Sequence, residues 1–210
     1  WGLVADRLGD MRVPYLVAAL WAALAGAVLA TAPTMPWLAV AVLLLSVGAA
    51  GLTPLIDART IQRLWPHRER FGQARVAGSF AFMAGTIGSG IVIAASDLRM
   101  LFVIYAIAMA GAGIAAVVLL GRPAGARKVG SVGPVAALGL LRQPGLGLFF
   151  AGSCVMWVSA VGSMTLFSLR VVELGGDTRL VGIGWAVSAL FEVPFMLLFA
   201  RFAKRVRVEW

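Results

Sequence analysis

The sequence predicts an all-α integral membrane protein with six transmembrane helices. Of its 210 residues, 61% are hydrophobic and 13% are charged, and the mean hydropathy is +0.94. A water-soluble domain of this length could not bury so much apolar surface. The apolar residues form runs of roughly 20, the length that an α-helix needs to cross a bilayer. Helices are expected because lipid cannot satisfy exposed backbone polar groups.

Each break between the apolar runs carries turn residues or charges. Pro33 separates the first two runs, Pro66 and its charged neighbours the second and third, and Asp97 the third and fourth. A long polar linker opens at Gly121, and Gly175 marks the last turn. The predicted spans are 14–31, 36–56, 74–95, 100–120, 145–169 and 180–203.

The basic residues predict the orientation of the six spans. Connections on one side of the membrane hold 15 of the 18 arginines and lysines, and only Arg99, Arg170 and Arg179 fall on the other. Cytoplasmic loops carry such an excess, so both chain ends are predicted to be cytoplasmic, in the inner or plasma membrane of the cell. The 15 are Arg7, Arg12, Arg59, Arg63, Arg68, Arg70, Arg75, Arg122, Arg127, Lys128, Arg142, Arg201, Lys204, Arg205 and Arg207.

Several functional classes are disfavoured by the same composition. The net charge of +9 is spread between apolar blocks and is not gathered into a patch for nucleic acid. The single cysteine, Cys154, excludes an internal disulfide and gives no metal-ligand spacing. No nucleophile and base stand in a catalytic arrangement. We therefore expect no enzyme activity, no cofactor and no metal site.

The first residues form a glycine-punctuated turn that carries opposite charges. It resembles the loop between the second and third helices of the major facilitator superfamily, in which Gly-x-x-x-Asp-Arg-x-Gly precedes basic residues. Asp10 and Met11 stand where two basic residues are usual. The resemblance implies a gating loop made by Gly2, Asp6, Arg7, Gly9 and Arg12.

That superfamily has two six-helix halves joined by a long cytoplasmic loop, and the resemblance implies a partial twelve-helix fold containing the third to eighth helices. Residues 1–121 would hold four spans of the first half, 122–144 the loop between the halves, and 145–210 the first two spans of the second half. Within the loop, 135–142 is predicted to lie flat at the membrane interface. The chain is then expected to be part of a larger protein.

Asp57 and Arg75 lie at facing ends of the second and third spans. Each alone is compatible with an ordinary helix-end charge. Together they can pair or hold a polar ligand, because consecutive antiparallel helices bring these ends close.

The surrounding residues resemble the lactose permease and phenylpropionate permease group. The matching motifs are Pro54-Leu55-Ile56-Asp57-Ala58, Phe71-Gly72-Gln73-Ala74-Arg75 and Gly78-Ser79. In the lactose permease, the acid and the arginine of these motifs contact the sugar. Phe82 stands where that permease has a tryptophan that stacks on sugar, which argues against a galactoside. Trp185, Ala186 and Glu192 resemble the eighth helix of the phenylpropionate permease group.

Glu192 lies about twelve residues into the last predicted span. A charge near the bilayer centre costs roughly 2.5–3.5 kcal/mol on insertion scales, so it usually faces a cavity or a partner. Two readings stay open: a carboxyl group that carries a proton or contacts substrate, and a structural acid bonded to a neighbouring helix.

Together these features predict a secondary active transporter that takes up a small polar or aromatic metabolite with protons by alternating access. Substrate and proton coupling are assigned to Asp57, Arg75, Glu192 and Phe82. Multidrug-type efflux by the same fold and a non-transporting membrane scaffold are the alternatives. The expected partners are the substrate, protons and the lipid bilayer, with no nucleic acid. The oligomeric state stays open.

Overall fold

The computed structural model describes residues 1–119, 139 and 143–205. All secondary structure in these residues is helical. The helices are α1 (Gly2–Leu8), α2 (Arg12–Thr31), α3 (Met35–Ala49), α4 (Leu52–Leu64), a 3-10 turn (Arg68–Arg70), α5 (Phe71–Ala95), α6 (Leu98–Leu119), α7 (Pro144–Glu173) and α8 (Thr178–Arg205).

Six helical segments of the described chain are long and apolar enough to cross a membrane, as predicted. They are Arg12–Thr31, Met35–Leu64, Phe71–Ala95, Leu98–Leu119, Gly145–Glu173 and Thr178–Leu198. The second segment joins α3 and α4, because Ala50 and Gly51 between them keep right-handed helical backbone angles. It ends eight residues later than predicted, because the prediction stopped at the first charge whereas the helix continues to Leu64.

α2 is the centre of the first group of helices and packs against α3 and α6. Its buried residues are all small or apolar: Pro14, Ala18, Ala19, Ala22, Ala23, Ala25, Gly26 and Leu29. Small side chains let helix backbones approach closely. At the closest points, Gly113 of α6 faces Ala19 and Leu16, and Gly48 of α3 faces the backbone of Ala22.

α5 and α8 form the second close helix pair and run antiparallel. Gly72 of α5 lies against the carbonyl of Met196, and Gly90 lies against that of Thr178. The Thr178 hydroxyl also donates a hydrogen bond to the Gly90 carbonyl, at 3.1 Å. α7 contacts α8 through Phe167, and most of its side chains are exposed.

The predicted loop between the halves, 122–144, lies almost entirely outside the described residues, as does most of the predicted interfacial segment 135–142. The division of the chain into two bundles therefore stays a prediction. Under that division, the α5–α8 contact joins the two halves.

Candidate substrate cavity

A cavity of about 610 Å³ opens between α4, α5, α7 and α8. Asp57, Arg75, Phe82 and Glu192, the four predicted substrate and coupling residues, all line it. They are therefore neighbours in space, although 135 positions separate the first from the last. Their assigned roles stay predictions.

Helix periodicity explains how α4 and α5 present their residues to the cavity. Thr53, Asp57 and Thr60 are spaced by four and three positions, which places them on one face of α4. On α5 the corresponding face carries Phe71, Arg75, Gly78, Ser79 and Phe82. Each helix contributes one charged side chain at the centre of a polar or aromatic stripe.

Asp57 and Arg75 form an ion pair across the α4–α5 corner. Arg75 Nη1 donates to Asp57 Oδ2 at 2.8 Å, and the side chains are 46% and 29% exposed. Within the described residues this is the only hydrogen bond that joins them. Asp57 Oδ1 and Arg75 Nη2 therefore keep hydrogen-bonding capacity for a ligand.

Glu192 enters the cavity from α8, on the same helix face as Trp185, Ser188, Ala189 and Met196. Its side chain is exposed and makes no hydrogen bond or ion pair with the described residues. The hypothesis that Glu192 is a structural acid requires a bond to a neighbouring helix. The described part of the chain offers no such partner.

Comparison with known proteins decides the family. The profile of the MFS_1-like family matches residues 1–210. The chain belongs to this family. Its predicted membership of the major facilitator superfamily and its partial superfamily fold are thereby confirmed.

A known permease is also similar to the chain, which agrees with the family assignment. The chain is 26% identical over 196 residues to the maltose permease of Geobacillus stearothermophilus, an alignment that covers 93% of this chain and 49% of the permease. The chain thus spans about half the length of that relative. No solved structure matches it at comparable significance. This MFS_1-like protein is accordingly a multi-pass membrane protein of a transporter family.

Sequence reasoning left several cavity residues unassigned in this MFS_1-like chain. The cavity is also lined by Ser188, Phe71, Met164 and Trp185. The Trp185 ring meets Phe167 edge to face, with centroids 5.5 Å apart, and its indole N–H lies 3.4 Å from the Ser168 hydroxyl. Ser188 and Trp185 lie four and seven positions before Glu192, and this helical spacing was the signal that would have found them.

In the predicted gating loop, the ion pair lies at the end of the loop, between Asp10 and Arg12. Asp6 and Arg7 are exposed and make no ion pair within the described residues. Instead Arg12 holds Asp10 with two nitrogens, Nη2 at 2.7 Å and Nε at 3.0 Å. These hydrogen bonds hold the pKa of Asp10 below its ordinary value, against a smaller opposing effect of burial.

The two glycines of this loop differ in how strongly the backbone needs them. Gly9 ends α1 in the left-handed conformation, at φ 64°, and donates to the Ala5 carbonyl. Only glycine adopts that conformation without steric cost. Gly2 has open space around it, so packing within the described chain does not require a glycine there.

Proposed function

We propose that this MFS_1-like chain belongs to a secondary active transporter that takes up a small polar or aromatic metabolite together with protons. The observation that carries this proposal is the cavity, which gathers Asp57, Arg75 and Glu192 from helices of both predicted halves. Sites at the interface of two repeats are typical of transporters that work by alternating access. The named relative, a maltose permease, also moves a small polar molecule.

Substrate binding is assigned to the side of the cavity formed by α4 and α5. The free oxygen of Asp57 accepts a substrate hydroxyl or N–H group, and the free nitrogen of Arg75 donates to a substrate oxygen. Phe82 and Trp185 provide apolar surface for a ring. A volume of about 610 Å³ suits a metabolite of one or two rings.

Proton coupling is assigned to Glu192. An acid without a partner inside a membrane is expensive to keep charged. In this proposal Glu192 takes up a proton while the cavity faces the outside and releases it while the cavity faces the cytoplasm. Because the substrate would bind beside it, at Asp57 and Arg75, protonation of Glu192 would couple the movement of the proton to the movement of the substrate.

Alternating access is assigned to movement of α8 against α5.

Both chain ends lie on the cytoplasmic side of the cell membrane in this proposal, because that side holds 15 of the 18 basic residues. The loop from Gly2 to Arg12 would then lie at the cytoplasmic end of the bundle, where Asp10 and Arg12 fix the start of α2.

Replacement of Glu192 tests the proposal in the complete encoded protein. Radiolabelled maltose, a galactoside and 3-phenylpropionate are offered to a host that lacks its own permeases for them. We expect uptake of at least one probe by the wild type, and loss of that uptake in Glu192→Gln at equal amounts of membrane-inserted protein.

Glu173→Gln is the matched control, because Glu173 is an exposed acid at the end of α7, outside the cavity. It should transport as the wild type does. Equal uptake by Glu192→Gln and the wild type would contradict the role of Glu192.

A further inference from the structure

A second polar surface lies at the end of α4, apart from the cavity. Residues 59–70 contain four arginines and one acid, Glu69. We call Arg59, Arg63, Arg68 and Arg70 the α4–α5 basic surface. Arg59, Arg63 and Arg70 do not line the cavity, and nothing in the proposed transport cycle uses the four arginines.

The charges of two members of this surface are not neutralised by described neighbours. Arg63 and Arg70 are exposed and form no ion pair or hydrogen bond through their side chains within the described residues. Of the nearby acids, Asp57 pairs with Arg75, and Glu69 lies 3.4 Å from His67. With four arginines and one acid, residues 59–70 carry an excess of positive charge.

The opposite end of the helices has a different charge balance. Two of its three arginines stand beside acids, with Arg170 held by Glu173 at 3.1 Å and Arg179 at 3.9 Å from Asp177, and Arg99 forms no ion pair within the described residues. An anion would therefore meet mostly paired charges at that end, and the unpaired guanidinium groups of Arg63 and Arg70 at the other.

Trp65 indicates what kind of anion fits. It follows the last residue of the second membrane segment, and its side chain is 65% exposed. Tryptophan favours the headgroup level of a bilayer, where the apolar ring and the polar N–H are both accommodated. A guanidinium group at that level meets lipid phosphates, to which it can donate two parallel hydrogen bonds.

We infer that the α4–α5 basic surface binds the phosphate headgroups of anionic phospholipids. Arg63 and Arg70 supply the free guanidinium groups, and Trp65 sets the depth of the site at the bilayer surface. This lipid site goes beyond the proposed transport function and does not depend on it. Clusters of basic residues at the end of a transmembrane helix are a known basis for anionic-lipid recognition.

Native mass spectrometry of the complete encoded protein in detergent tests this inference. Phosphatidylglycerol and phosphatidylcholine are titrated separately onto wild type, Arg63→Gln/Arg70→Gln and the matched control Arg99→Gln/Arg179→Gln. One juxtamembrane arginine is worth about fivefold in affinity for an anionic lipid. The first double variant should therefore lose about ten- to thirtyfold in phosphatidylglycerol affinity, and the control should lose less than about twofold.

Two further experiments are included. One distinguishes loss of charge from loss of folding, and the other distinguishes binding of a lipid headgroup from binding of a free anion. Arg63→Lys/Arg70→Lys keeps both charges and should retain most of the preference for phosphatidylglycerol. Excess inorganic phosphate should displace little bound lipid. Equal losses in both glutamine double variants, an unchanged affinity in Arg63→Gln/Arg70→Gln, or complete displacement by inorganic phosphate would each overturn the inference.

Discussion

The α2–α6 pair and the α5–α8 pair both rely on small residues, but they use them differently. Between α2 and α6, the glycines face side chains: Gly26 meets the Tyr105 ring, and Gly113 meets Ala19 and Leu16. The sequence from Val13 to Thr31 holds no charge. This pair is a continuous apolar contact in which side chains interdigitate.

Between α5 and α8, the glycines face backbone. Gly72, Gly90 and Gly182 lie against the carbonyls of Met196, Thr178 and Thr86. The charged cavity lies beside this contact, between α4, α5, α7 and α8. Two helices that touch by backbone can separate without repacking interlocked side chains, whereas an interdigitated pair cannot. We expect the α5–α8 pair to move and the α2–α6 pair to stay rigid.

The largest expected effect comes from removing the cation of the cavity. Arg75→Gln leaves Asp57 without its charged partner, and a hydrogen bond to a charged group is worth about 1.5–3 kcal/mol. Initial uptake rates should fall about 10- to 100-fold at equal protein amounts.

Arg170→Gln is the matched control, since Arg170 pairs with Glu173 on an exposed surface. An exposed pair contributes about 1 kcal/mol or less, and this one lies outside the cavity, so uptake should change by less than about twofold. Equal losses in the two variants would remove the distinction between the charged cavity and the rest of the bundle.

The next largest effect is expected from Gly182→Ala. A methyl group there would meet the Thr86 carbonyl, a backbone group that cannot turn aside, so α8 must shift away from α5. Uptake should fall about tenfold, as displacements of about 1 Å remote from a reaction commonly cost about that much or more. Insertion and yield should be unchanged, as judged by quantified membrane protein.

Gly26→Ala is the counterpart in the rigid pair. Its methyl group would lie 2.8 Å from Tyr105 Cδ1, a side-chain atom that can shift. Overpacking costs about 1–3 kcal/mol, and the higher helix propensity of alanine returns about 1 kcal/mol. The melting temperature should fall by no more than about 8 °C, with normal uptake per folded molecule. A larger transport loss than in Gly182→Ala would reverse the comparison.

The smallest effect is expected from Asp10→Asn, at the start of α2. Because Arg12 lowers the pKa of Asp10 from its ordinary 3.8, the ion pair stabilises the fold above that value and stops doing so as the pH falls through the lower folded pKa. The variant should melt less than about 4 °C below the wild type at pH 7. The difference should hold from about pH 5 to pH 8 and vanish in stronger acid. A difference that disappears near neutral pH would contradict the lowered pKa.

The sequence predicted the fold in nearly every respect that depends on apolar length. All six spans were found, because the hydrophobic runs are long and the breaks carry proline, glycine or charge. The end of α4 was missed, because a helix can continue beyond the hydrocarbon region of the bilayer. Hydropathy indicates where the chain leaves the hydrocarbon and not where the helix ends. Contacts between helices, such as Gly72 against the Met196 carbonyl, were not foreseeable from spacing within one helix.

The candidate cavity was anticipated through its charges and not through its neutral lining. Asp57, Arg75 and Glu192 stand out because a charge in an apolar run demands an explanation. Ser188 and Met164 are ordinary residues of membrane helices, and only the arrangement of α5, α7 and α8 shows that they line the same space. The pairing of Asp10 with Arg12 depends on local turn geometry, which the motif alone did not reveal.

Proton movement during uptake tests the central claim most directly. A pH electrode in a lightly buffered suspension of cells follows the medium when a transported probe is added to wild type, Glu192→Gln or Glu173→Gln. We predict alkalinisation with the wild type and Glu173→Gln. Glu192→Gln should give none, while it still exchanges external for internal probe through Asp57 and Arg75. Alkalinisation by Glu192→Gln equal to that of the wild type would contradict the account.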